Sequence, residues 1–535
     1  TPEIYTLSLH DALPISLVLG ISCCLQAADI HVSPAGRDTN PGTREAPFAT
    51  LERARQEVRL QRAAGAVTVW LHAGVYWLPE PFTLGAKDSG RAGAPVTYRA
   101  MDGAPVWLNG GVPLGLADFT PVRAESVLAR LAPEARHAVR HLKLPPELLG
   151  RLSPPWPDTW WTPRQLAANS ELFCGSERLT LARWPNDDYT TFGPIVTAAQ
   201  SEDETPEFRY ADPRHERWSL AAQPYLFGYW RRGYRAEFIR IAGIDTAAKT
   251  VRLAARNSLG TLEDGGACRY FAVNLLEELD SPGEWYLDRG QGVLYLWPTE
   301  AMRTAPLYLS VNQTALIEAT EVEHVHFRGI GLECSARDGI RLQRSNHCQI
   351  IACEVRNVAF DGIVVSGDQN RIAGCDVHHT GDVGVAVGTG DRYALRPGGT
   401  VVENCHVHHS NRIVRAGSRA VQIRGVGATF AHNLIHDTGY IAVRFDGNDH
   451  VLEYNRLFRT NVESTEGGVF YIGRDWTARG SSIRFNFIHH VEDSREGCGS
   501  ATRFVHLDDS APEIEIHGNV CYRLGGGVSI CGGAA

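Results

Sequence analysis

Seven carboxylates crowd one part of the chain: Asp446, Asp449, Glu463, Glu466, Asp475, Asp508 and Asp509. Arg444, Arg474 and Trp476 are interleaved with them. Paired carboxylates cleave glycosidic bonds: one protonates the leaving oxygen, and the other serves as base or nucleophile. Close like charges also drive one pKa up, which leaves one acid and one base at neutral pH. On this chemistry Glu466, Asp508, Asp509 and Asp475 are the catalytic candidates. Asp446, Asp449, Arg444, Arg474, Trp476 and Glu463 are the candidates for holding substrate. The competing reading is structural, because Asp446 to Asp449 is also a good turn. A histidine series (His378, His408, His436 and His489, with His379, His409 and His490 beside it) reads as stacked outward imidazoles rather than a metal site.

These residues need a scaffold that brings distant positions together, and the repeat supplies one. A short unit recurs with Cys353, Cys375, Cys405, Asn433, Asn455, Asn486 and Asn519 at the same point. The steps between copies are 22, 30, 28, 22, 31 and 33 residues. A second motif follows, a small residue and then alternating apolar positions up to a glycine, as from Gly362 to Gly367 and from Ala442 to Gly447. Period-two strands in units near 22 residues predict stacked coils that share one core. A buried Asn can bond along such a stack, and Cys is its compact apolar substitute. The pattern is that of an all-β, right-handed parallel β-helix with an inward Asn/Cys ladder. Stacking the second motif gives two expected outward columns, Gln422–Arg444–Phe470 and Arg424–Asp446–Ile472. Carboxylates one coil apart would lie about 5 Å apart, as in retaining glycosidases, and two coils apart near the upper limit for inverting ones.

Four regions are expected. Residues 1–28 read as a translated sequencing-adapter stretch followed by the end of a secretory signal, with cleavage near Ala27 or Ala28. Cys23 or Cys24 gives the alternative of a lipid anchor at the cell surface. Residues 29–113 read as a capping helix, with Leu51, Ala54, Val58 and Leu60 at helical spacing, plus the first coils. Residues 114–309 lose the repeat and read as an inserted β-rich domain. Its aromatic residues, Trp156, Trp160, Trp161, Trp184, Tyr229, Trp230 and Trp285 among them, suit sugar faces or domain packing. Residues 310–535 read as the main β-helix, stopping in mid-pattern as a truncated frame would.

The net charge of −9 argues against a nucleic-acid partner, since phosphate binding needs a basic face. Lysine occurs only at Lys87, Lys143 and Lys249, so the β-helix offers none as a base. No Cys-x-x-Cys pair occurs, so no zinc or iron–sulfur site is expected. No apolar run is long enough to span a membrane.

Three segments carry a family resemblance: His31 to Thr43, Glu277 to Asp288, and Gly447 to His450 continuing through Gly473–Thr477 to Leu507–Asp509. They resemble the large group of secreted bacterial right-handed β-helix, pectin-lyase-like proteins that includes glycoside hydrolase family 141. The resemblance implies a hydrolase acting on xylan or pectin side chains. It also implies an acidic pair, one member in the loop before Gly473 and one at Asp508 or Asp509. Here Glu463 to Glu466 departs from the expected Glu-Ser-Asp-Asp, with Glu466 one methylene longer. The expectation is a secreted or periplasmic monomer that cleaves polysaccharide without a cofactor. Two alternatives remain, a polysaccharide lyase or a non-catalytic carbohydrate-binding solenoid. Calcium enters only with the lyase, where it would neutralise a uronate.

Overall fold

The computed structural model describes residues 27–160, 166–201, 203–260, 262, 268–464, 467–491, 502–509 and 513–531. Each coil of the solenoid contributes one strand to each of three parallel sheets, which hold 11, 10 and 10 strands. The first sheet runs from Ala28–Val32 to Ile514–His517, the second from Gly74–Trp77 to Val520–Leu524, and the third from Phe82–Leu84 to Gly526–Ile530. The expected right-handed parallel β-helix is the fold. Its cause is visible in single strands: in Ile363–Ser366, Ile363 and Val365 are buried and Val364 and Ser366 are not. Alternation at period two sends every second side chain inward. One core of such residues runs from Ile30 to Leu507.

The ladder lies at the corner between the first and second sheets. The residue before each ladder position has a left-handed backbone: Ala352, Gly374, Asn404, His432, Tyr454, Phe485 and Gly518, with φ between 51° and 65°. Five of these are not glycine, and L-residues avoid this region for steric reasons. The next side chain holds the bend. Asn455 Oδ1 accepts from Asn433 N–H at 2.9 Å and from Asn433 Nδ2 at 3.0 Å. Its Nδ2 donates to Phe430 O and to Asn486 Oδ1, both at 3.0 Å. Cys353, Cys375 and Cys405 continue the column as buried free thiols, and Asn519 is half-buried at its far end.

The helix Leu51–Gln61 covers the N-terminal end, with Leu51, Ala54 and Val58 in the core. Leu60 is exposed, so it is not part of the apolar face. Thr50 caps the helix by accepting from Arg53 N–H.

The chain leaves the coils through Gly111–Leu114 and returns through Leu307–Ser310, and these two strands pair antiparallel. Between them an eight-stranded sheet forms, antiparallel throughout, around Tyr225–Tyr229, Glu237–Asp245 and Arg269–Val273. Trp160, Phe227 and Phe238 from this region pack with Phe360, Ile413 and Ala416 of the coils. Glu463 ties the two parts together. Its carboxylate accepts from Tyr189 Oη at 2.9 Å and from Arg415 at 2.8 Å. Its carbonyl accepts from Tyr229 Oη and Arg269.

Candidate active site on the third sheet

The third sheet presents two outward columns on its last coils. In the first, Gln422 lies opposite Arg444, Arg444 opposite Tyr471, and Tyr471 opposite His506. In the second, Arg424 lies opposite Asp446, and Gly473 lies opposite Asp508. The expected columns held Phe470 and Ile472, which is a one-residue error. Phe470 pairs with Val443, and both Phe470 and Ile472 are fully buried. A shift of one residue exchanges the two faces of a strand. Tyr471 and His506 are thus the outward residues that sequence reasoning missed. The usable signal was that Tyr471 and Gly473 alternate outward from the small-residue pair at Gly467 and Gly468.

Asp446 and Gly473 each lie two residues beyond the paired Arg444 and Tyr471. Asp446 therefore stands two coils from Asp508 at the same end of the sheet. Two strand spacings are about 9.6 Å. The position between them has no side chain of its own, and the Tyr471 hydroxyl reaches over it to Asp508. A Cβ on Gly473 would come within 3.0 Å of Tyr471 Oη and 3.1 Å of Asp508 Cβ.

The two carboxylates have different surroundings. Asp446 is met by Arg444 Nε at 3.2 Å, by Gln422 Nε2 at 2.9 Å and by Arg424 at 3.8 Å. Asp508 Oδ2 accepts from Tyr471 Oη at 2.7 Å, and its Oδ1 lies 3.7 Å from His506 Nε2. Burial, followed by Asp508, pushes the Tyr471 hydroxyl above the ordinary tyrosine range, so it stays a donor. Burial pushes the His506 imidazole down, which keeps it neutral near pH 7. Behind Asp446, burial lowers buried His450 to about 4.

The remaining candidates take varied places. Asp475 is bound by Arg392 at 2.8 Å. Burial pushes its carboxyl up, but Arg392 and then Thr477 outweigh this and hold it below the ordinary range. Arg392 comes from the turn after the strand Val385–Thr389, so Asp475 anchors that turn on later coils. Asp509 pairs with Arg474 at 2.9 Å, with both side chains largely in solvent. Asp449 is an exposed turn residue with φ of 56°. Trp476 is 71% exposed next to Asp475, an open aromatic face at the Asp508 end. Glu463 is engaged by the inserted region, as described above. Glu466 and Trp161 lie outside the described residues. Gly468, two positions after Glu466, begins the strand whose other end meets Asp508, about 16 Å further on at 3.3 Å per residue.

A third acidic group was not anticipated. Asp338, Asp361 and Asp382 stack on successive coils before third-sheet strands. Burial, then Asp338 and Asp382, push the Asp361 carboxyl up to about 8. Asp338 Oδ1 and Asp361 Oδ1 accept from Asp361 N–H and Val383 N–H, so these carboxyls cap the next coil.

Among the described residues, four groups have metal-ligand spacing: His406, His408 and His436; Asp376, His378 and His408; His409, His436 and Asp437; and His506, Asp508 and Cys531. Each contains imidazole, a donor suited to zinc-class ions rather than calcium. The histidine series is stacked as expected, with His378 and His408 centroids 4.7 Å apart at 9°.

Comparison with known proteins gives the same architecture. The family model for the right handed beta helix region matches residues 338–521. An uncharacterized protein, YwoF of Bacillus subtilis (strain 168), is 38% identical over 81 residues, which span 15% of this chain and 15% of that protein. A solved glycoside hydrolase superposes with a TM-score of 0.70 at 15% identity, over 94% of this chain and 96% of that one. A xylose complex of XylC superposes with a TM-score of 0.48 at 11% identity, over 91% and 70% of the two chains. The class defined by fold and comparisons is the right-handed parallel β-helix.

Proposed function

We propose that this chain is a secreted glycoside hydrolase that cleaves plant or microbial polysaccharide of the xylan or pectin type on its third sheet. The carrying observation is the placement of Asp446 and Asp508 at one level, two coils apart, across side-chain-free Gly473. A separation near 9.6 Å fits an inverting mechanism, in which a water stands between base and sugar. Asp446, bracketed by Arg444 and Arg424, serves as base. Asp508 protonates the leaving oxygen, with Tyr471 orienting its carboxyl. Arg444, Arg474 and Trp476 contact sugar hydroxyls and ring faces. The glycoside hydrolase among the structural neighbours supports this reading at the level of fold.

The test is turnover on a panel of nitrophenyl glycosides and plant polysaccharides. Asp446→Asn and Asp508→Asn should each lower kcat by at least about a hundredfold, the lower end of what general acid–base catalysis contributes. Asp475→Asn, at the anchored turn, should retain most activity. Unchanged rates in both of the first two variants would reject the assignment.

A further inference from the structure

A second site lies where the inserted region meets the coils. A cavity of about 190 Å³, open to solvent on one side, lies there. That volume holds about six waters at roughly 30 Å³ each, the scale of one sugar ring. Its walls come from distant parts of the chain, with Trp156, Trp160 and Trp285 from the inserted region and Arg412 and Arg415 from the coils.

The charge of this cavity is unbalanced. Among the described residues five guanidiniums line it, those of Arg178, Arg183, Arg289, Arg412 and Arg415, against the single carboxylate of Glu171. Glu171 is committed to Arg412, which it binds through two contacts of 2.6 Å. Arg415 is committed to Glu463 at 2.8 Å. Three cations remain. Arg178 makes no hydrogen bond among the described residues and stands 3.9 Å from Glu171. Arg183 donates to the carbonyls of Pro185 and Asp188 and lies 3.9 Å over the Phe271 ring. Arg289 donates to Ser153 O at 2.6 Å. Neither Arg183 nor Arg289 has a carboxylate partner.

Such an arrangement carries an electrostatic penalty. Burial, then Arg412, pushes the Arg178 guanidinium down to about 10, and burial, then Arg415, does the same to Arg183. Burial also lowers Arg289. Arg178 is 36% exposed and Arg183 and Arg289 are half-buried, so an anion in the cavity would act by offsetting the mutual repulsion of these cations. A wall rich in donors and poor in acceptors selects an anion. The half-buried indole of Trp156 favours a ring with an apolar face, whereas Trp160 is already stacked on Phe238.

We propose that this cavity binds an acidic sugar residue, its carboxylate on Arg178, Arg183 and Arg289 and its ring against Trp156. The site is separate from the Asp446–Asp508 pair, and its test does not depend on turnover.

The test uses tryptophan fluorescence of the full chain, titrated with galacturonate, glucuronate, galactose or inorganic sulfate. A saturable change with at least one uronate is expected, at least tenfold tighter than with galactose or sulfate. Arg178→Gln and Arg289→Met should each weaken that response tenfold or more, while the exposed Arg344→Gln should not. Arg178→Gln breaks no hydrogen bond and keeps the test open should Arg289→Met misfold, which the urea midpoint would report. Galactose equal to the uronates, sulfate equal to the uronates, no response to any probe, or undiminished uronate binding in Arg178→Gln would each overturn the proposal.

Discussion

Replacing Asn455 by Cys tests the ladder with little steric disturbance, since Cys405 already occupies the equivalent position in the same column. The substitution removes four hydrogen bonds of 2.9–3.0 Å. Their partners are not equally harmed. Asn486 Oδ1 keeps the backbone N–H of residue 455, and Asn433 Nδ2 keeps Val402 O at 3.1 Å. Asn433 N–H loses its side-chain acceptor in a fully buried corner, and such an orphaned donor costs about 1–3 kcal/mol. The other lost bonds contribute about 1 kcal/mol each where a partner retains a second bond. The expected loss is about 3–5 kcal/mol, read from equilibrium urea unfolding with unchanged m-value. Asn519→Cys, half-buried at the end of the ladder, should lose no more than about 1 kcal/mol, because water replaces the missing partner. Hydrogen exchange should also quicken at the Asn433 amide in Asn455→Cys. Equal losses in the two variants, both under about 1 kcal/mol, would refute the idea that the ladder amides hold the left-handed corner.

Three further outcomes follow from the same geometry. Gly473→Ala sets a methyl against Tyr471 Oη and the Asp508 carbonyl, 2.8 Å away, and should displace the Tyr471–Asp508 bond. Losing a hydrogen bond to a charged group, about 1.5–3 kcal/mol, predicts a tenfold to hundredfold fall in kcat together with a lower urea midpoint. Asp361 is raised in the folded chain from its ordinary 3.8 to about 8. Its stabilising protonation is therefore complete at low pH and lost as pH climbs from about 4 to about 8. Asp361→Asn should be more stable than the parent at pH 9 and no more stable at pH 4, by thermal unfolding. Glu463→Ala leaves Arg415 and Tyr189 without their shared carboxylate in a partly buried junction. The cost should be about 2–3 kcal/mol, between exposed and buried pairs, with faster proteolysis of the inserted region.

The solenoid was legible because its cause is local. Ladder residues, left-handed corners and alternating strands all recur within one coil, so spacing alone exposes them. The outward columns were legible only to within one residue. Unequal insertions separate the copies, and two successive glycines at Gly467 and Gly468 hide the phase, which placed Phe470 where Tyr471 stands. Asp446 and Asp508 were singled out by residue type, but their shared level depends on that phase. The role of Glu463 was illegible, because its partner Tyr189 lies 274 positions away. The arginine-lined cavity was hidden for the same reason, its walls being drawn from the inserted region and from the coil loop at Arg412 and Arg415. Periodicity reports contacts between neighbouring coils and carries no information about which insertion folds back on which coil.

The most direct test of the central claim is the chemical nature of the first product. The purified chain is incubated with whichever polysaccharide of the panel it degrades, and proton NMR follows the nascent end. Two carboxylates two coils apart, on strands about 9.6 Å apart in the third sheet, predict a new reducing end of inverted anomeric configuration, with no unsaturated sugar, absent from Asp508→Asn. A retained anomer, or an unsaturated uronate of the kind a lyase releases, would contradict the account.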